Sequence, residues 1–142
     1  RSPMARRSGE MKLSDRVQVL DSGESCPQLP IVEGGGICRA VVWPGSGARQ
    51  RSMHRISLAP GARTVALRHA MEAVYYIISG GGTVVDPGSA PGQELIEGSM
   101  VHIEPETAYQ FEAASDGIEM LGGPCPADMN LYSHLEFDGS GT

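Results

Sequence analysis

Three polar side chains in the middle of the chain have the types needed for acid–base chemistry: His69, Glu72 and Tyr109. An imidazole exchanges protons near neutral pH. A phenol can donate a hydrogen bond to a developing enolate or alkoxide, and a carboxylate can orient or supplement a base. Such groups suit an isomerase, cyclase or lyase that moves a proton within a small organic molecule. These three residues are therefore the candidate catalytic residues.

The segments around these residues have the composition of short β-strands. Apolar, β-branched runs alternate with turns, and the 19 glycines and 10 prolines fit an all-β domain with many turns. Residues 74–79, VYYIIS, form the densest β-branched and aromatic run. No stretch before residue 126 has helical periodicity. The predicted strands are 15–20, 37–43, 52–58, 64–69, 74–79, 83–86, 94–96, 100–103, 109–113 and 118–121, with a turn at 80–82.

The glycines of this region have the spacing of a known β-barrel family. Gly61 and Gly80 fit the ends of the pattern G-x5-H-x-H-x3-E-x6-G. Gly98 begins a segment that fits G-x5-P-x-G-x2-H-x3-N in spacing, with Tyr109 at the histidine position. The chain therefore resembles the cupins, and the resemblance implies an all-β fold, a cupin jelly-roll β-barrel in a single domain. The 17 residues between Gly80 and Gly98 are similar to the linker of compact microbial cupins, which implies a bacterial protein.

The resemblance also implies a metal site, for which this sequence has few ligands. Metal-dependent cupins hold a transition ion with three histidines and one glutamate. The matching positions here are Leu67, His69, Ala73 and Tyr109. A β-bulge could turn Glu72 inward, because a one-residue shift exchanges the two faces of a strand. No cofactor is firmly expected, and a divalent transition metal held by His69, with Glu72 or His102, stays open.

Strand alternation assigns further side chains to the barrel interior. The predicted inward set is Leu67, His69, Ala73, Tyr75, Ile77, Tyr109 and Phe111. A mostly apolar lining with a few polar groups is typical of a small-molecule pocket, which favours an organic ligand over a bare ion. The sequence does not assign His54 and His102 to either face, and His69 could equally be a core histidine. The candidate ligand-binding residues are Leu67, Met71, Tyr75, Phe111, His54 and His102.

Charge and composition disfavour several classes of partner. The net charge of −6, with Lys12 as the sole lysine, argues against a nucleic-acid surface, which needs clustered Lys and Arg. No apolar run approaches the roughly 20 residues that span a bilayer. The start of the sequence has no apolar block of the signal-peptide kind. A cytoplasmic protein is expected, and Cys26, Cys38 and Cys125 lack the C-x-x-C spacing of a zinc or disulfide framework.

The length of 142 residues fits one domain. Residues 1–12 are expected to be a disordered or cloning-derived tail, 13–137 the barrel with its motifs at 61–80 and 98–113, and 138–142 a flexible tail. The cupin resemblance implies a homodimer, with the apolar segments 31–32 and 40–43 as candidate contacts. Three functions stay open: a metal-independent or atypical-metal enzyme of acid–base chemistry, a non-catalytic ligand-binding or sensing protein, and a metal-dependent dioxygenase-like cupin.

Overall fold

The computed structural model describes residues 16–89 and 91–135, so the predicted tails at 1–12 and 138–142 lie outside the described residues. Within the described residues the chain is nearly all β, as the sequence predicts. Short 3-10 turns occupy Pro44–Ser46 and Met129–Tyr132. The strands are β1 (Val32–Glu33), β2 (Gly36–Val42), β3 (Met53–Leu58), β4 (Arg63–Thr64), β5 (Glu72–Val85), β6 (Gln93–Leu95), β7 (Met100–Ile103) and β8 (Gln110–Cys125).

Two antiparallel layers share the long strands β5 and β8. These strands pair from Glu72 opposite Cys125 to Val85 opposite Gln110. The first half of β5 and the second half of β8 lie in the layer β7-β5-β8-β3-β2. The other halves lie in the layer β6-β5-β8-β4-β1. The two layers form a nearly closed barrel.

The passage of β5 from one layer to the other depends on glycine. The register of β5 against β8 shifts between Ile77 and Ser79 and again between Gly80 and Gly82. Gly80 has φ 78°, and a Cβ there would overlap the carbonyl oxygen of Gly117 on β8. The predicted turn at 80–82 is therefore wrong, because these glycines let a continuous strand bend against its partner.

Other predicted strands differ from the observed ones in length. Residues 110–113 and 118–121 belong to the single strand β8, because both segments pair with β5, whereas Tyr109 lies just before this strand. The predicted strand at 64–69 shrinks to β4 and one isolated bridge between Leu67 and Tyr109. Residues 17–20 form no strand. The strands predicted at 37–43, 52–58, 94–96 and 100–103 are present, with ends that differ by a residue or less.

The apolar interior lies between the two layers. All seven residues predicted to face inward, from Leu67 to Phe111, are buried. Aromatic rings pack edge to face at its centre, with the ring centroids of Tyr75 and Phe111 4.8 Å apart. Ile56, Met120 and Ala40 are fully buried around these rings. This packing confirms the alternation deduced from the sequence and fixes the polar side chains described below.

Replacing Gly80 with alanine should destabilise the barrel more than replacing Gly61. Both glycines have positive φ, 78° and 77°, but a Cβ at Gly61 meets nothing within 4 Å. Gly61→Ala should therefore cost about 1 kcal/mol of unfolding free energy for backbone strain alone. Gly80→Ala should cost roughly 2 kcal/mol more, because its Cβ overlaps backbone that cannot move aside freely. Urea unfolding of the two variants measures the difference, and equal losses would contradict the role assigned to Gly80.

Candidate functional site

Four buried polar side chains form a hydrogen-bonded chain inside the barrel. Nδ1 of His69 lies 2.7 Å from Oδ2 of Asp128, and Nε2 of the same ring lies 2.7 Å from the Tyr109 hydroxyl. The Tyr109 hydroxyl lies 2.6 Å from that of Tyr75. His69, Tyr75 and Tyr109 are each at most 4% exposed, and Asp128 is 8% exposed. The chain Asp128–His69–Tyr109–Tyr75 is therefore shielded from bulk water.

The donors and acceptors of this chain can be assigned in one consistent direction. A carboxylate only accepts, so Asp128 requires a proton on Nδ1 of His69. In a neutral imidazole Nε2 then accepts the hydroxyl proton of Tyr109. The Tyr109 oxygen in turn accepts from the hydroxyl of Tyr75. Every polar atom between the carboxylate and Tyr75 thus has a partner of the right kind.

The phenols of this chain are held in the neutral form. Burial raises the pKa of Tyr75 well above its usual range, because the phenolate would lose its hydration. Burial likewise raises the pKa of Tyr109, although the hydrogen bond from Tyr75 opposes this shift. Both hydroxyls therefore keep their protons at neutral pH and are available as donors.

A second buried pair lies beside the first chain. Nε2 of His54 is 2.7 Å from the hydroxyl of Tyr132, whose ring centroid lies 4.8 Å from that of Trp43. Burial, with a smaller contribution from the charge of His69, lowers the pKa of His54 to about 4. Burial also raises the pKa of Tyr132 to about 12. A neutral imidazole that accepts from a neutral phenol fits both shifts.

The members of the two groups come from separate parts of the chain. His69 follows β4 and Tyr109 precedes β8, and the bridge between Leu67 and Tyr109 brings these two segments together. Tyr75 lies on β5 and His54 on β3. Asp128 and Tyr132 come from residues 127–132, which follow β8 and are called the C-terminal strap below.

A cleft of about 500 Å³ opens beside this interior, and we call it the β6–β7 cleft. It is bounded by β6, β7, the end of β5 and residues 107–109. Leu95, Ile103 and Tyr109 contribute buried surface to its lining. Tyr109 thus belongs both to the polar chain and to the lining of the cleft.

The structure brings together only some of the residues selected from the sequence. His69 and Tyr109 are in contact, and Tyr75 and His54 also face the interior. Leu67 and Phe111 are buried core residues, and Met71 is half-buried; these three residues are absent from the cleft lining. His102 borders the cleft with its exposed side chain.

The expected inward turn of Glu72 does not occur. β5 pairs regularly with β7 and β8 from Glu72 to Ile77, so no bulge exchanges the faces there. Glu72 is about half exposed and accepts a hydrogen bond from Nε2 of His102 at 3.1 Å, on the outer surface. Glu72 and His102 are therefore separated from His69 by the barrel wall.

The residues present do not fit the metal site of metal-dependent cupins. Leu67 and Ala73 offer no donor atom, and both nitrogens of His69 are engaged by Asp128 and Tyr109. Within residues 16–89 and 91–135, no three or more His, Cys, Asp or Glu side chains are grouped so that they could hold a metal ion.

Sequence reasoning missed Asp128 and Tyr132 as parts of the interior. Cys38 is 1% exposed, and burial raises the pKa of its thiol to about 12, so it is an inert core residue. Asp128 accepts a hydrogen bond from the backbone N–H of Asn130 and so caps the 3-10 turn of the strap. That local capping pattern was the available signal, but it does not reveal the partner across the barrel.

Comparisons with solved structures identify the fold. A cupin-like protein from Thermotoga maritima superposes with a TM-score of 0.62 at 22% identity, covering 81% of this chain and 84% of that chain. The polyketide cyclase RemF from Streptomyces resistomycificus gives 0.60 at 18% identity, covering 72% and 75%. A predicted oxalate decarboxylase from Thermotoga maritima gives 0.60 at 18% identity, covering 74% and 96%. At these identities the likeness establishes the fold alone.

The other comparisons and the hydropathy of the chain add little. No protein-family model matches the sequence, and no curated protein matches it. Among the described residues, no helix has the length and apolar character needed to cross a membrane. The arrangement of side chains in the site is therefore the evidence that bears on function.

Substituting His54 with glutamine should reduce the loss of stability on acidification. The pKa of His54 falls from 6.5 to about 4 in the folded protein, so the unfolded chain binds more protons between these values. The folded state is therefore favoured fully above pH 6.5, and this advantage is lost as the pH falls toward 4. A shift of this size corresponds to on the order of 3 kcal/mol.

Urea unfolding between pH 7 and pH 4.5 measures this effect. The stability of the wild-type protein should fall more steeply over this range than that of His54→Gln, whose amide does not titrate. His134→Gln is the matched control, because His134 is exposed, and it should follow the wild-type curve. Parallel curves for wild type and His54→Gln would show that His54 is not held neutral by burial.

Proposed function

We propose, starting from the cupin fold that this chain has, that it binds a small organic molecule in the β6–β7 cleft and catalyses proton transfer there. The observation that carries this proposal is the double position of Tyr109, in the cleft lining and in the buried chain with His69. Solved structures with this fold include a polyketide cyclase and a predicted oxalate decarboxylase, which supports chemistry on small organic molecules. The reaction class is isomerisation, cyclisation or elimination.

In the proposed mechanism Tyr109 is the catalytic residue. A proton leaves a carbon or oxygen atom of the substrate and binds the Tyr109 oxygen, while the original hydroxyl proton of Tyr109 moves to Nε2 of His69. The imidazolium that forms is stabilised by the carboxylate of Asp128, which accepts from Nδ1. Reversal of both transfers delivers a proton to a different atom of the substrate and restores the chain. Tyr75 donates to the Tyr109 oxygen throughout.

The roles of Glu72, His69 and Tyr109 differ from those expected from the sequence, in which the imidazole exchanged the proton and the phenol donated a hydrogen bond. Glu72 has no part in the proposed mechanism, because its side chain lies on the outer surface with His102. Asp128 takes the orienting role that the sequence suggested for Glu72. His69 stores the proton and reaches the substrate only through Tyr109.

A non-catalytic ligand-binding protein is the second candidate function. It is favoured by the complete pairing of the interior chain, since Asp128, His69 and Tyr109 already satisfy one another without a ligand. In that case the same groups would serve only to stabilise the core. The metal-dependent dioxygenase-like function has no support in the arrangement of donor atoms.

The charge of the β6–β7 cleft favours a neutral or cationic ligand. Asp86, Glu94 and Glu104 line the cleft, and none of the described residues that line it is Lys or Arg. Asp86 and Glu94 form no ion pair within residues 16–89 and 91–135. A carboxylate or phosphate ligand would therefore meet like charges, whereas an amine would be attracted.

A homodimer stays a prediction from the resemblance, and a cytoplasmic location stays a prediction from the sequence. The segments first considered for the dimer contact offer little free surface, because Ile31, Ala40 and Trp43 are buried within the protomer. Tyr76 and Met100 are paired on neighbouring strands and are 43% and 69% exposed, so they are better candidates.

Removing the hydroxyl of Tyr109 should abolish proton transfer while leaving the fold intact. The assay follows loss of the α-proton NMR signals of cyclohexanone and 2-tetralone in deuterated water, which detects enolisation without knowledge of the natural substrate. We expect Tyr109→Phe to lower the exchange rate about 100-fold or more, the usual effect of removing a group that stabilises the transition state.

Tyr76→Phe is the matched control for this experiment. Tyr76 follows Tyr75 on β5 but points to the outer surface, so the wild-type rate should be retained. Equal rates for wild type and Tyr109→Phe would refute the catalytic role. Binding of these ketones without enzyme-dependent exchange would instead support the non-catalytic function.

The charge argument predicts a binding order for three ligands of similar size. In amide NMR titrations 2-phenylethylamine should bind more tightly than 2-phenylethanol, and 3-phenylpropionate should bind least. The Kd values of the amine and the acid should differ about 10-fold or more, since two screened charges of the cleft each contribute about 1 kcal/mol to the binding free energy.

The double variant Glu94→Gln/Glu104→Gln should remove most of this preference. Glu97→Gln is its control, because Glu97 is exposed on the turn between β6 and β7 but does not line the cleft. Tighter binding of the acid than of the amine by the wild-type protein would exclude the proposed ligand class.

A further inference from the structure

The C-terminal strap contacts both interior histidines. Asp128 is hydrogen-bonded to His69, and Tyr132, four residues later, is hydrogen-bonded to His54, each at 2.7 Å. The two strap side chains are 8% and 1% exposed, so both enter the barrel rather than lie across its surface. The strap therefore supplies one hydrogen-bonding partner to each imidazole.

The strap is also attached to the barrel by packing, since Ala127 and Leu131 are half-buried against the core. Its first residue, Ala127, donates a backbone hydrogen bond to the carbonyl of Gln50 at 2.9 Å. Tyr132 packs its ring on Trp43, at the end of β2. Within the strap, the backbone N–H of Leu131 donates to the carbonyl of Asp128 and closes the local turn. The position of Asp128 thus depends on how the strap is held, and Tyr132 is the most deeply buried residue of the strap.

We propose that the C-terminal strap is a working part of the site: Asp128 holds His69 in the Nδ1–H tautomer, and Tyr132 and His54 hold Asp128 in place. This inference rests on the site proposed above. Tyr132 and His54 are positioning residues, since they act on His69 only through the strap. The tautomer matters because only with Nδ1 protonated is Nε2 free to accept the hydroxyl proton of Tyr109.

Loss of the Asp128 contact would change the preferred state of His69. Without a carboxylate beside Nδ1, the ring can carry its proton on Nε2 and donate it to the Tyr109 oxygen. The direction of the chain would then reverse, and Tyr109 would have no acceptor for its own proton at His69. The strap, residues 127–132, would in this way control the proton path to the β6–β7 cleft.

The test reads the tautomer of His69 directly by long-range proton–nitrogen NMR of the full chain labelled with ¹⁵N. His69→Gln assigns the ring signals by their loss from among the 4 histidines. The wild-type protein should show the Nδ1–H pattern. Asp128→Ala should lose that pattern, and Tyr132→Phe, which keeps the ring on Trp43, should convert it to a mixture of both tautomers.

A pair of His54 variants separates positioning from simple packing. His54→Gln retains an acceptor for the Tyr132 hydroxyl and should keep the Nδ1–H pattern, whereas His54→Leu should behave like Tyr132→Phe. An Nε2–H pattern in the wild type, or an unchanged pattern in Asp128→Ala, would overturn the inference. An unchanged pattern in both Tyr132→Phe and His54→Leu would remove the role of Tyr132 and His54.

This measurement needs no substrate, so its result is independent of the enolisation assay. A loss of the tautomer in the strap variants with no catalysed exchange in the wild type would leave the strap inference standing and the catalytic function rejected. Catalysed exchange in the wild type, together with an unchanged tautomer in the strap variants, would support the catalytic function and reject the strap inference. Tyr76→Phe serves again as the control and should leave the His69 signals unchanged.

Discussion

The structure depends on one constraint: a polar side chain inside a closed barrel must find its partner in the protein. Water does not compensate a buried imidazole or phenol there, and an unpaired group costs about 1–3 kcal/mol. Two histidines, three tyrosines and one aspartate lie in or beside the interior of this barrel, and each has a partner at 2.6–2.7 Å. The arrangement of strands, loops and the C-terminal strap is the one that makes these pairs.

The long pair β5–β8 makes this interior possible. Because both strands pass from one layer to the other, Tyr75 on β5 faces the residues that precede β8, including Tyr109. The bend at Gly80 therefore determines how the two layers are placed. It sets the two layers facing each other, so that segments distant in sequence contribute to one chain of hydrogen bonds.

The same constraint applies at the positions that match the metal motif of the cupins in spacing. Leu67 and Ala73 stand at positions where the metal-dependent cupins carry ligands, and neither can bind an ion. The remaining histidine, His69, is instead paired on both nitrogens by Asp128 and Tyr109. In place of metal ligands the interior thus holds a chain of paired donors and acceptors, and Tyr109 of this chain also lines the β6–β7 cleft.

The sequence by itself determined the fold class and the inward face. Glycine spacing at Gly61, Gly80 and Gly98 and period-two alternation from Leu67 to Phe111 are local properties, so they can be deduced without coordinates. The sequence also identified His69 and Tyr109 as a pair.

Only the tertiary structure decided the rest of the site. Asp128 and Tyr132 meet His69 and His54 across 59 and 78 residues of sequence, and no local pattern encodes such a contact. The sequence left open an inward position for Glu72, because a bulge in a strand depends on the neighbouring strands. Here β7 and β8 pair regularly with this part of β5, so Glu72 faces outward. Local periodicity shows which face of a strand is buried, whereas partners inside a barrel are chosen by the closing of the layers on each other.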